Sequence, residues 1–130
     1  MECVGVRFAH SPKIYDYRFG SQAPPVDSWV VVKTPRGLEL AKVRTEPRLG
    51  HAVGEIVRIA TPADLDQHSK LKNRAEEVYW WLKARLRKEG VRAKVLGCEF
   101  TLDGNHISVQ YSAEQRIDLR RWVSELNRLA

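Results

Sequence analysis

The sequence predicts an α+β protein: a small antiparallel β-barrel-like N-terminal half followed by a truncated ferredoxin-like β-α-β-β-α half. Three observations predict it. Residues 3–59 alternate apolar and polar positions between turns rich in Gly and Pro, which is the period of strands. Thr61-Pro62-Ala63-Asp64 then opens a long stretch of helical period, with an N-cap hydroxyl, Pro at the first helical position and an acid at the third. After Gly90 a second strand pair and a second helix follow. The boundary falls at 52/53, giving residues 1–52 to the barrel-like subdomain and 53–130 to the ferredoxin-like one.

The elements follow in order. Cys3-Val4-Gly5-Val6-Arg7-Phe8 is apolar at every second position, and after the Ser11-Pro12 turn comes Lys13-Ile14-Tyr15-Asp16-Tyr17-Arg18-Phe19. Trp29-Val30-Val31-Val32-Lys33 and Leu38-Glu39-Leu40-Ala41-Lys42-Val43 flank Thr34-Pro35-Arg36-Gly37. Pro presets φ in the turn and Gly tolerates positive φ at its end, so this reads as a hairpin. Gly54–Ile59 is a further strand. The helix runs from Thr61 to Glu89, roughly 40 Å at 1.5 Å per residue, with an apolar stripe of Leu71, Ala75, Val78, Leu82 and Leu86. In the next strand Val95 lies on one face, and Leu96, Cys98, Phe100 and Leu102 on the other. Asp103-Gly104-Asn105 turns the chain into Ile107, Val109 and Tyr111, and a last helix, about Arg116 to Leu129, carries Leu119, Trp122, Val123 and Leu126. A split β-α-β-β-α-β unit needs one more strand, so either that strand is absent or a partner supplies it at an open sheet edge.

Composition narrows the function. A hydrophobic fraction of 43% is that of a globular chain. No apolar run approaches the ~20 residues that span a bilayer, and the N-terminus lacks the pattern of a signal peptide, so a cytoplasmic protein is expected with no membrane partner. Cys3 and Cys98 read as buried thiols. The net charge of +6 favours an anionic partner. Residues 1–60 and 61–130 each contribute +3, so an anion site has to be assembled by folding. Arg outnumbers Lys 14 to 8, which suits planar phosphate recognition.

No catalytic pattern is present: GxSxG, P-loop, GxGxxG and HExxH are all missing, and His10, His51, His68 and His106 are scattered. No enzyme, cofactor or metal is expected. Two surfaces fit nucleic acid instead. Tyr15 and Tyr17 share a strand face amid Arg7, Lys13, Arg18, Lys33, Arg36, Lys42 and Arg44. This pattern resembles the stacking platforms of small barrels, or alternatively a tyrosine-rich barrel wall with solvated charges at its edges. On the long helix, Lys70, Arg74, Trp81, Arg85 and Lys88 form a stripe that either follows a phosphate backbone or consists of solvated cations beside a packed Trp. The candidate nucleic-acid-binding residues are therefore Arg7, Lys13, Tyr15, Tyr17, Arg36, Lys42, Arg74, Trp81 and Arg85. Trp80 and Trp122 are candidate interface residues, because one helix cannot readily bury both Trp80 and Trp81 in a single contact.

Several blocks carry a family resemblance. Val4–Phe8, Lys13–Tyr15, Val30–Val43, Arg58–Leu65, Phe100–Gly104 and Tyr111–Arg120, in this order, resemble the polymerase-suppressor-protein (PSP-one) C-terminal domain family over nearly the whole chain. The resemblance implies a role in RNA processing. Bacterial sporulation-related members act in a complex that helps an endoribonuclease mature transcripts, and some eukaryotic relatives sit in RNA-binding proteins. It implies no catalytic residues. The bacterial type continues into a strand and a cysteine-rich segment that can hold an iron–sulfur cluster. Cys3 and Cys98 do not match that segment, so no cluster is expected here. The expected function is a non-catalytic module binding RNA or single-stranded DNA. The alternative is a protein–protein adaptor in a ribonuclease-associated or other regulatory complex, as a homo-oligomer or with a partner chain.

Overall fold

The computed structural model describes residues 2–129. Eight strands and two helices follow in the order β1 (Glu2–Arg7), β2 (Tyr15–Arg18), β3 (Trp29–Thr34), β4 (Gly37–Val43), β5 (Arg48–Leu49), β6 (Gly54–Ile59), α1 (Pro62–Lys88), β7 (Ala93–Phe100), β8 (Ile107–Ala113) and α2 (Arg120–Leu129). The α+β class and the barrel-like first half are as the sequence predicts.

The barrel closes because β1 pairs with both β2 and β4, so that β1, β2, β6, β3 and β4 form a ring with β5 added at the end of β1. Most pairs are antiparallel, but β2 and β6 run parallel. Alternation along each strand sends Val4, Val6, Tyr17, Val30, Val32, Ala41 and Val43 inward, where they pack with Phe8. Gly5 sits in the wall at a crowded point. A Cβ there would lie 2.5 Å from Ile14 Cγ2 and 2.8 Å from Thr45 Cγ2, and its N–H donates to Thr45 Oγ1 at 2.7 Å.

The strand Gly54–Ile59 has a different role from the one its sequence position suggests. It pairs with β2 and β3, so it completes the barrel instead of opening a ferredoxin-like sheet. The element order of the second half is as read, but its own sheet is the β7–β8 hairpin. A second correction concerns β7. The register shifts between Val95 and Gly97, leaving Leu96 as an extra residue that is 57% exposed. Such a bulge resets the alternation. Val95 and Cys98 therefore pack together against the helices, where strict period two had put them on opposite faces.

Helix α1 begins with the capping box its sequence announces: Thr61 Oγ1 accepts from Asp64 N, and Asp64 Oδ2 accepts from Thr61 N. It stops at Gly90, whose φ of 69° is left-handed. Gly90 N–H donates to Arg87 O and Val91 N–H to Leu86 O, the paired bonds that satisfy the final carbonyls. Leu82 and Leu86 pack onto Val95 with Leu119 and Trp122, making the second core. Helix α2 starts at Arg120, four residues later than the sequence suggests, after Tyr111 Oη donates to Ile117 O and so fixes the approach to the helix.

The start of α1 is tied electrostatically to the barrel. Arg58 of β6 donates from Nε and NH2 to the Asp64 carboxylate at 3.0 and 2.8 Å. These bonds, with that from Thr61 N–H, hold the Asp64 carboxyl well below the usual carboxylate range. A depressed folded value means that this contribution to stability is complete above the unfolded value, about 3.9, and is lost as pH falls through the folded one. Asp64→Asn is expected to flatten the loss of stability below about pH 4, as measured by urea unfolding at a series of pH values.

The halves also meet at their turns. The β3–β4 turn meets the β7–β8 turn: Leu102 N–H donates to Leu38 O at 2.6 Å, and Leu38 N–H donates to Asp103 Oδ2 at 3.1 Å. Beside them Arg36 donates to Ser108 Oγ at 2.6 Å and to the buried Glu39 carboxylate at 2.7 Å, and its NH2 lies 2.7 Å from His10 Nε2. Glu39 also accepts from Thr34 Oγ1.

Candidate nucleic-acid interface

Because Val6, Val43, Val30 and Ala41 face the barrel interior, their neighbours Arg7, Lys42 and Trp29 face outward. The register aligns them. Arg7 of β1 is paired with Lys42 of β4, and Lys42 is paired with Trp29 of β3. Three adjacent strands thus carry a row of cation, cation and indole. The Lys42 ammonium lies 5.5 Å from the Trp29 ring centroid, within cation–π range. Trp29 nevertheless remains 38% exposed. Arg44 joins the row in a shallow cleft of about 230 Å³, its NH1 held 3.0 Å from Asp27 Oδ1. An exposed indole among cations offers a base a stacking surface and a phosphate its counter-charge.

The other sequence-derived candidates are distributed differently. Lys13 is exposed, its backbone N–H donating to Ser11 Oγ, and it does not line the cleft beside Trp29. Tyr17 is 5% exposed and belongs to the barrel core, while Tyr15 packs on that core with Phe8 5.9 Å away edge-on. The two tyrosines do share a face, but barrel closure makes it the inner one. Burial and the neighbouring Glu39 push the Tyr17 hydroxyl pKa up, in keeping with a neutral phenol inside the barrel. Arg36 is engaged in the contact between the halves described above.

The helix stripe is largely paired within the chain. Lys70 bridges Asp66 at 3.1 Å, Arg74 approaches Glu77 at 4.0 Å, and Arg85 bridges Glu89 and Glu125 at 2.6 and 3.0 Å. Trp81 packs into the second core with Arg85 5.8 Å from its ring. Trp122, a candidate interface residue, is 6% exposed. Its indole N–H donates to Glu89 Oε2 at 2.8 Å, so it docks α2 on α1 within this chain. Trp80 is 57% exposed, which keeps it open to a partner.

Trp29 and Arg44 were not singled out as a pair by sequence reasoning. The available signal was a Trp opening a strand whose hairpin partner carries a Lys at the matching register. The cysteines lie apart, Cys3 in the barrel wall and Cys98 in the second half, where burial pushes its thiol up to about 11. Among the described residues, no group of three or more His, Cys, Asp and Glu side chains is placed to hold a metal, and no helix is long and apolar enough to cross a membrane.

Residues 54–130 match the family model described as the PSP1 C-terminal conserved region. Among curated proteins, the chain is similar to stage 0 sporulation protein YaaT of Bacillus subtilis (strain 168), at 28% identity over 129 residues. That alignment covers 95% of this chain and 47% of the relative, so the chain spans about half of the relative's length. No solved structure matches the chain.

Proposed function

Given that the chain belongs to the family of the PSP1 C-terminal conserved region, we propose that it is a non-catalytic module that binds single-stranded nucleic acid, RNA or DNA, through the outer face of its barrel. The observation that carries this reading is the row Arg7, Lys42 and Trp29 across three adjacent strands, with Arg44 beside it. The net charge of +6 supports an anionic ligand. Arg7, Lys42 and Arg44 hold phosphates, and Trp29 stacks one base.

Binding measured by fluorescence anisotropy with single-stranded RNA, single-stranded DNA and duplex is expected to favour the single strands. It should weaken with salt, with a logarithmic slope of about 0.7 per phosphate neutralised. Trp29→Ala is expected to weaken single-strand binding by roughly tenfold or more, since a base–aromatic stack contributes about 1–3 kcal/mol. An affinity indifferent to salt, or to Trp29→Ala, would sink the proposal.

A second reading, an adaptor for other proteins, is favoured by a separate feature. The outer edge of β8 has no strand partner among the described residues, and a groove of about 760 Å³ lies between it and the start of α2. Under this reading the groove takes a protein segment and the barrel face is idle. The salt and Trp29→Ala measurements distinguish the two.

A further inference from the structure

The barrel row is one end of a longer feature. Ala9 lines both the cleft beside Trp29 and a second cleft, of about 370 Å³, between α1 and β7. Trp80 in turn lines both that second cleft and a third, of about 540 Å³, between the C-terminal half of α1 and the start of β7. The three clefts thus share residues end to end. Their linings differ in a regular way. The middle stretch is walled by Leu71, Ala75, Tyr79 and Phe100. The far cleft carries Lys83, Arg87 and Lys94 and no carboxylate. Trp80 stands at the junction, 57% exposed, with Lys83 Nζ 5.4 Å from its ring centroid and Tyr79 meeting it edge-on at 5.1 Å.

We infer that the nucleic-acid site is a continuous groove from the barrel row to the Trp80 cleft, occupied by one single strand that lies across both halves of the protein. This inference rests on the proposed function. The groove has an exposed indole with three cations at each end: Trp29 with Arg7, Lys42 and Arg44, and Trp80 with Lys83, Arg87 and Lys94. The middle stretch is largely apolar and aromatic, with Glu76 and Glu99 set against Lys72 and His68, so it lacks the excess of cations found at the two ends and receives bases. The stretch of α1 along the groove, His68 to Arg87, is about 28 Å long. That length takes up to about eight nucleotides at the 3.4 Å spacing of a stacked strand, and fewer if the strand is stretched. A duplex does not present its bases to such a wall, so the groove selects for single strands.

The test compares a 4-nucleotide and a 12-nucleotide single-stranded RNA on the full chain, by anisotropy at two salt concentrations. The longer strand is expected to bind at least tenfold tighter and with a steeper salt dependence. Trp80→Ala, and separately the triple change Lys83→Gln, Arg87→Gln and Lys94→Gln, should remove most of the advantage of the 12-mer over the 4-mer and flatten its steeper salt dependence. These side chains are solvent-facing, and unchanged circular dichroism and melting temperature establish that the variants fold. Equal binding of the two lengths, with Trp29→Ala still weakening both, would overturn the groove and leave the barrel site standing. Absence of binding by either length would remove both. A Glu-rich peptide that binds as tightly as the 12-mer, with the same Trp80 dependence, would assign the groove to an acidic protein segment and overturn the inference.

Discussion

Leu82→Ala is expected to lower the free energy of unfolding by about 2–5 kcal/mol, the range for truncating a large buried aliphatic side chain. Leu82 is completely buried at the centre of the second core, where α1, the β7–β8 hairpin and α2 converge. It packs with Leu86 of the same helix, Val95 of β7, and Leu119 and Trp122 at the start of α2. A vacancy at that position is bordered by α1, β7 and α2, so closing it requires whole elements to shift. Urea unfolding followed by far-ultraviolet circular dichroism reads the loss as a lower midpoint at unchanged slope. Loss well under 1 kcal/mol would mean that the helices pack loosely on the hairpin.

Arg36→Ala is expected to cost about 3 kcal/mol, toward the upper end for stranding a buried charged hydrogen-bonding group. The Glu39 side chain is 10% exposed, and Arg36 is its cationic partner at 2.7 Å. Removing the guanidinium leaves that carboxylate in the barrel wall with Thr34 and His10, and also cuts the bond to Ser108 that spans the two halves. Taking away both charges avoids the stranded carboxylate. The double variant Arg36→Ala/Glu39→Ala is therefore expected to lose clearly less than the sum of the single variants. Additive losses would show that Arg36 acts through Ser108 alone.

Local signals in the sequence were sufficient wherever a feature is decided by neighbouring residues. Thr61, Pro62, Asp64 and Gly90 mark both ends of α1, since capping and left-handed termination depend on a few adjacent dihedrals. The β3–β4 hairpin was legible from Pro35 and Gly37 for the same reason. Features decided by distant partners were not legible. Alternation put Tyr15 and Tyr17 on one face, but which face is inner depends on β6 closing the ring from 37 residues beyond Tyr17 (Gly54 against Tyr17). The membership of β6 in the barrel was hidden likewise, because a strand's sequence does not name its partner. Leu96 escaped because a bulge inserts one residue without a compositional mark. The candidate site was half legible. Arg7 and Lys42 were found, while Trp29 became a site residue only once register placed it beside Lys42.

All strands of the barrel lie between Glu2 and Ile59, and its core between Val4 and Ile56. A nascent chain leaves the ribosome N-terminus first, and domains fold as units in that order. Every pairing partner of the first half has therefore been synthesised before α1 begins. The later half then arrives at a finished surface, on which Arg36 and Leu38 already stand ready to receive Ser108 and Leu102. Assembly in that sequence lets the apolar faces of α1 and the hairpin meet a closed barrel in place of open strand edges, which would offer unpaired backbone groups to other chains.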